Sequence, residues 1–399
     1  MESTEVAASR LSPVPPPSLR DQAGGPAGLL QDPIIAASHV GGVAKQAAFA
    51  PPRRPGKGKS QGQEHVYAAL DLGTNNCRLL IARASSTGAP SSEFRVIDSF
   101  SRIVRLGEGL SRTHTLSTAA IERTLDALEI CHRKMCDRGV TRARLIATEA
   151  CRSAENGPEF LKRVQRDIGL ELEIVDRETE AHLAAAGSAS LADSSASGVV
   201  LFDIGGGSSE IVWLGRPNGV AGRAADLALR ERVRFWVSLK LGVVTLAEKF
   251  GGLEVSDATF NAMVDHVSGE LANFVVMVGA ERRCENFHLL GTSGTVTTIA
   301  GVFLGLSRYD RRRVDGLWMS SDEVNGAVAS LRKMTYEERA TNGCIGIGRA
   351  DLVIAGCAIL EAIRRAFPAD RVRIADRGLR EGILMQLISA DRAVPRARR

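Results

Sequence analysis

Apolar positions in this chain alternate between short unbroken runs and longer spaced patterns. A run bounded by Gly or charge reads as a buried strand, and apolar residues recurring every three or four positions read as one face of a helix. "VYAALDL" at 66–72 is such a run. Gly73-Thr74-Asn75-Asn76 follows as a turn, and "CRLLIAR" returns as a second strand. "LSTAAIERTLDALEICHRKMCDRGV" has the helical spacing. Ile121, Leu125, Leu128 and Met135 lie near one face, Ser117 stands as N-cap and Gly139 can close the end. "ARLIATEA" reads as a strand, and "ELEIVDRETEAHLAAAGSA" as a strand feeding a helix. "LFDIGGGSSEIV" at 201–212 is another strand–turn–strand. "HLLGTSGTVTTIAGVFLG" and "RVRIADRGLREGILMQLI" each read as strand, turn, helix. This mixture predicts an α/β architecture.

One pattern occurs twice. "ALDLGTNNCRLLIA" and "LFDIGGGSSEIVWL" share the order strand, Asp, small apolar residue, Gly turn, strand. The repetition predicts two related domains facing each other, each giving a hairpin to one cleft. The boundaries read as 65–190 for the first domain and 191–388 for the second. Residues 1–64 carry "PVPPPS" and "FAPPRRPGKGKSQGQ" and bury little, so they read as a disordered tail. Residues 389–399, ending "RARR", read as a basic C-terminal tail.

Composition changes this picture little. The chain is 44% hydrophobic and 24% charged, enough for a sizeable core. Its net charge of +5 comes partly from the tails and argues only weakly for an anionic partner. Aromatics are 5%, which counts against a single-stranded nucleic-acid surface. Seven cysteines form no C-x-x-C pair, so no disulfide framework or zinc site is expected, and a reducing cytoplasm fits. The longest apolar helical run, "ELANFVVMVGA", is too short for a bilayer, and no secretory signal is visible. His114, His132, His182, His266 and His288 are scattered and suggest no metal set.

The turns carry the chemistry. Glycine lets backbone N–H groups converge into an anion-binding nest suited to phosphate. Gly73, Thr74 and Asn75 offer one nest, and Gly205, Gly206, Gly207 and Ser208 a second. A third spans Gly291 to Thr295 at the start of a helix, whose N-terminus favours negative charge. Asp71 and Asp203 stand beside two of the nests. A carboxylate next to phosphate implies a cation between them, and Mg²⁺ is the usual one. No P-loop and no dinucleotide fingerprint occurs.

With these motifs the ordered region resembles the exopolyphosphatase / guanosine pentaphosphate phosphohydrolase (Ppx/GppA) family. The matching segments run from "ALDLGTNNCRLL" through "RLGEGL", "ATEACRSAENG", "RETEAHLAAAG" and "FDIGGGSSEI" to "LLGTSGTVTTIAG", "RADLVIAGCAIL" and "ADRGLREGIL". The resemblance implies the actin, Hsp70 and sugar-kinase (ribonuclease H-like) fold, with two domains around a cleft. It makes Glu180, in "RETEAHL", the base that activates the attacking water. It makes Asp203, Gly205 and Glu210 phosphate and metal residues, Asn75 and Arg78 part of the first phosphate loop, and Ser293 and Gly294 part of the third. It makes Arg152 the arginine that reaches the phosphate chain, with Arg105 a weaker candidate for the polyanion. A homodimer is implied as well.

The sequence also departs from the family. Asn76 stands where many members have Ser, and Cys77 reads as a small core residue and not a nucleophile. Long members carry a helical C-terminal domain, whereas this chain ends soon after "ADRGLREGILMQL", which puts processive degradation of long polymer in question. Arg311, Arg312 and Arg313 read as a solvated basic loop that could steer a polyanion if it lies near the cleft. The expected function is an exopolyphosphatase that removes the terminal phosphate of inorganic polyphosphate. The nucleotide pppGpp is the alternative substrate. An acceptor-dependent phosphotransferase and a non-catalytic polyphosphate sensor are the competing classes.

Overall fold

Strand β1, Val66–Leu72, is buried at every position except Asp71, which explains its unbroken apolar run. Strand β6, Gly198–Ile204, repeats the pattern, with Asp203 as its only incompletely buried residue. Each is central to a sheet in a computed structural model that describes residues 65–85, 94–216, 232–283 and 286–393. The expected tail at 1–64 lies outside the described residues. All described residues fall in one compact unit.

The first sheet contains β1, β2 (Asn76–Ala84), β3 (Phe94–Ile103), β4 (Arg142–Ala147) and β5 (Glu173–Ile174), in the order β3-β2-β1-β4-β5. The second contains β6, β7 (Ser209–Gly215), β8 (Val233–Leu239), β9 (Phe287–Thr292), β10 (Trp318–Ser320) and β11 (Arg371–Ala375), in the order β10-β11-β9-β6-β7-β8. The repeat is topological as well as sequential. β1 pairs antiparallel with β2 and parallel with β4, as β6 pairs antiparallel with β7 and parallel with β9.

Helices cover both sheets. The ones that matter for the site are α1 (Thr118–Asp137), α2 (Glu149–Ser153), α3 (Gly157–Ile168), α4 (Arg177–Ser188), α5 (Val243–Phe250), α6 (Asp257–Val278), α7 (Gly294–Phe303), α8 (Ser321–Lys333), α9 (Val353–Ala366) and α10 (Leu379–Ala393). Ser117 caps α1 as expected, its side chain accepting from the Ala120 N–H. Leu125, Leu128 and Met135 bury the predicted face. "ARLIATEA" is a strand only as far as Ala147, and Glu149 opens α2.

Two helices lie between the sheets. α10 packs Ile383, Leu384, Leu387 and Ile388 against Tyr67, Ala69, Leu80 and Ile146 of the first sheet. α4 packs Ala181 and Ala185 against Leu201, Val212 and Leu290 of the second. The two helices cross at Gly187 and Gly382, where a Cβ would strike the Gly378 and Leu183 carbonyls. α10 thus leans on the first sheet although it follows the second in the chain, and α4 leans on the second although it follows the first. α10 also runs into the stretch read as a tail. Asp391 accepts from Tyr67 Oη and Arg142 Nε, both at 3.2 Å, and pins its last turn. Residues 394–399 lie outside the described residues.

Candidate active site

The two repeated hairpins close with the same bond. Gly73 N donates to Asn76 O, and Gly205 N donates to Ser208 O, both at 2.9 Å. Four of the loop carbonyls are taken. Asn75 O accepts from Val104 and Arg105, Thr74 O from Gly107, Gly205 O from Val243 and Gly206 O from Val244. The N–H groups of Thr74, Asn75, Gly206 and Gly207 have no acceptor among the described residues. This is the arrangement a nest needs, with donors left over and facing a shared space. The loops also touch. A Cβ on Gly206 would sit 3.0 Å from Thr74 Cβ and 3.2 Å from Asn75 N, and one on Gly207 2.6 Å from Thr74 Oγ1.

A cavity of about 770 Å³ lies between the loops. Asp71, Gly73, Thr74, Asn75, Arg78, Glu180, Asp203, Gly205, Gly206, Gly207, Ser208, Glu210, Ser293 and Gly294 all line it. Ser293 precedes α7 with φ 98°, a conformation rare outside glycine, and its hydroxyl accepts from Thr295 N. A Cβ on Gly294 would lie 3.5 Å from the Arg349 guanidinium and 3.6 Å from that of Arg78. The start of α7 therefore faces two cations.

Arg152 and Arg105 do not line this cavity. Arg152 is occupied by acids. Its Nη2 donates to Glu149 Oε2 at 2.6 Å and to Glu180 Oε2 at 3.0 Å, and its Nη1 to Val175 O at 2.6 Å. It grips the candidate base instead of an open phosphate position. Arg105 donates to Asp351 Oδ1 at 2.8 Å and to Gly348 O at 3.3 Å. Cys77 is fully buried with its Sγ 3.9 Å from Cys131 Sγ, a core position. Of the arginine trio only Arg311 reaches the cavity, where it pairs with Glu381 at 3.0 Å and Asp376 at 3.4 Å.

Arg349 and Arg380 are cavity residues that the sequence did not single out. Neither they nor Arg78 makes a side-chain hydrogen bond or ion pair among the described residues. Burial lowers the proton affinity of Arg349 and Arg380; the Arg78 charge lowers that of Arg349 further, whereas for Arg380 the Glu381 charge pulls the other way. Three cations lining one space, none of them with a bonded partner among the described residues, call for an anion. "RADLVIAG" and "GLREG" contain two of them, but only the fold brings them beside Arg78.

The acids face the opposite problem. Burial pushes Glu180 up to about 7 and Asp203 up to about 6, against the pull of Arg152 and Arg78 respectively. Burial and the neighbouring Glu180 and Asp203 charges push Glu210 well above the carboxylate range. Asp71 is raised too, again first by burial. The carboxylates of Asp71 and Asp203 make no side-chain hydrogen bond among the described residues. No three His, Cys, Asp or Glu side chains converge as a metal-ligand set among those residues. Hard, donor-poor carboxylates at the strand ends nevertheless fit Mg²⁺, which takes one or two carboxylates and fills its shell with water and phosphate.

A profile of the Ppx/GppA phosphatase family matches residues 80–390. The chain belongs to that family. It is 28% identical over 332 residues to exopolyphosphatase 2 of Mycobacterium tuberculosis, covering 80% of this chain and 98% of that protein. It is 25% identical over 336 residues to a guanosine-5'-triphosphate,3'-diphosphate pyrophosphatase of Pseudoalteromonas translucida, covering 83% and 61%. It spans about half, 46%, of a bifunctional 3-dehydroquinate synthase/phosphatase of Fusobacterium nucleatum, to which it is 27% identical. The crystal structure of the Aquifex aeolicus Ppx/GppA member superposes with a TM-score of 0.64 at 26% identity, over 82% of this chain and 98% of that one. The fold class is the one expected, paired α/β sheets of the actin, Hsp70 and sugar-kinase type. Among the described residues no helix is long and apolar enough to cross a membrane.

Proposed function

We propose that this Ppx/GppA phosphatase hydrolyses a terminal phosphoanhydride, with inorganic polyphosphate as first substrate and pppGpp as alternative. The observation that carries the reading is the setting of Glu180. Its Oε2 is held by Arg152, while Oε1 has no protein donor among the described residues, in a cavity floored by two phosphate nests. The terminal phosphoryl group rests on the N–H groups of Thr74, Asn75, Gly206 and Gly207. Glu180 takes a proton from water as its oxygen bonds to phosphorus and the bridging P–O bond breaks. Arg78, Arg349 and Arg380 balance the charge that gathers on the departing phosphate oxygens. Asp71 and Asp203, with Glu210 behind them, would hold Mg²⁺, which when bound neutralises phosphate oxygens and so offsets their repulsion with the acids.

Both substrate classes are names carried by relatives, and both present the same terminal group. The family resemblance also carries a homodimer into the reading, which sedimentation of the purified chain checks, and the cysteine usage carries a reducing cytoplasm. The deciding experiment is phosphate release with Mg²⁺ from medium-chain polyphosphate and from pppGpp, side by side. An excess on polyphosphate supports the first substrate, and preference for pppGpp the second. Release that appears only with an added acceptor hydroxyl, or none at all, overturns hydrolysis.

A further inference from the structure

We propose that Glu149 is a positioning residue for Glu180, acting through Arg152 and Arg177; the inference rests on the hydrolase reading for its kinetic consequence but not for its geometry. Glu149 opens the single-turn helix α2 and is 7% exposed. Its carboxylate is saturated with donors. Ser153 Oγ donates to Oε1 at 2.5 Å. Arg177 Nη2 donates to both oxygens at 3.1 Å. Arg152 donates to Oε2 through Nε at 3.1 Å and Nη2 at 2.6 Å. Burial alone would raise this carboxyl, but the Ser153 and Arg152 bonds outweigh it and hold it below the usual range. Glu149 is therefore an ionised anchor within a dense packing. Its Cγ would lie 3.1 Å from a Cβ on Gly207, so it also backs the second phosphate loop.

The two arginines it holds lead to one residue. Arg152 reaches Glu180 at 3.0 Å with the same Nη2 that bonds Glu149. Arg177 is the first residue of α4 and lies one turn before Glu180, on the same side of that helix. A single carboxylate thus fixes both the guanidinium on the base and the start of the helix that carries it. It also divides the charge. Arg152 gives Glu149 two hydrogen bonds and Glu180 one, so its guanidinium is neutralised mainly at Glu149. Glu180 then receives one hydrogen bond and keeps Oε1 for water. Without the Glu149 charge the Arg152 guanidinium turns wholly to Glu180, which loses basicity and orientation together. Glu149→Gln keeps the Cγ that backs the second phosphate loop, so neither effect needs a change in the nests.

The test uses the full chain with Mg²⁺ and tripolyphosphate. Glu149→Gln keeps the side-chain volume and removes the charge. Its kcat is expected to fall by about 30-fold, within the range a misplaced group costs, with KM changed less than about twofold. Glu149→Asp is expected to recover most of that loss. The Glu149→Gln, Arg177→Gln double variant should be no slower than Glu149→Gln alone, because the two act through one connection. A loss confined to KM, additive losses, or an unchanged kcat overturns the proposal. Crystal structures of the parent and of Glu149→Gln decide the geometry even if the parent releases no phosphate, an outcome that would sink the hydrolase reading instead. A Glu180 carboxylate engaged by the Arg152 guanidinium through both oxygens supports positioning, and an unchanged single bond to Oε2 at 3.0 Å refutes it.

Discussion

Glu180 is an acid held where its charge is disfavoured. Burial raises it from 4.5 to about 7, even with Arg152 pulling the other way. The elevation suits a general base near neutral pH. It also has a consequence for folding. Between about 4.5 and about 7 the folded chain binds a proton at this site that the unfolded chain has released. Stability therefore falls as pH rises through that window, and the full penalty is present above it. Glu180→Gln removes the penalty. Without divalent cation at pH 8, the variant should unfold a few degrees higher than the parent, the penalty removed being at most about 3 kcal/mol. At pH 4.5 or below the two should melt together. Phosphate release at pH 8 with Mg²⁺ should fall by at least about 100-fold in the same variant. A variant that melts lower than the parent at pH 8 would show that Glu180 is charged and stabilised by Arg152, against the raised value.

At the scale of elements, the site is two hairpins pressed together. Their contact depends on bare backbone at Gly206, where a Cβ would crowd both Thr74 and the Asn75 amide. A side chain can turn away, but the Asn75 amide can retreat only with its loop. Gly206→Ala should leave the fold intact and raise KM for tripolyphosphate about tenfold, about 1.4 kcal/mol of binding, because the two nests no longer converge. Unchanged KM would show that the loops bind independently. These hairpins were legible in the sequence because everything that makes them is local: apolar run, turn, apolar run, with an acid at a fixed place. The crossing of α4 and α10 was not. Ile383, Leu384, Leu387 and Ile388 announce a buried face, but nothing in their spacing says which sheet receives it. Arg152 shows the same limit at one residue. Its motif placed it near the reaction, and only the fold shows that the guanidinium is engaged by Glu149 and Glu180. Arg349 and Arg380 acquire meaning only from Arg78 across the cavity, a neighbour distant in sequence.

At the scale of the molecule, the α4–α10 pair joins the sheets through apolar packing, and a second tie between them is polar. The loop after β3 carries Arg105 with φ 48°, an αL conformation uncommon for a residue with a side chain. From there its guanidinium crosses to Asp351 and to the Gly348 carbonyl, in the segment leading to α9. A few residues on, Gly109 N donates to Glu248 Oε1 of α5 at 2.7 Å, and the Ser111 hydroxyl bonds the other oxygen of the same carboxylate. The two ties differ in kind, and so should their response to salt. Apolar packing strengthens or holds as ionic strength rises, whereas a partly exposed ion pair weakens. The clasp should therefore open first. Arg105→Ala removes a pair worth about 1 kcal/mol, enough to raise the population of a parted form about fivefold. Hydrogen exchange in 103–111 and 346–351 should accelerate by that factor in the variant, while exchange in α4 and α10 stays at the parental rate. Raising KCl to about 1 M should bring the parent toward the variant in the same two segments and leave the variant itself unchanged. Uniform acceleration across all four segments would mean instead that Arg105 supports the fold as a whole and that the clasp is no separate joint.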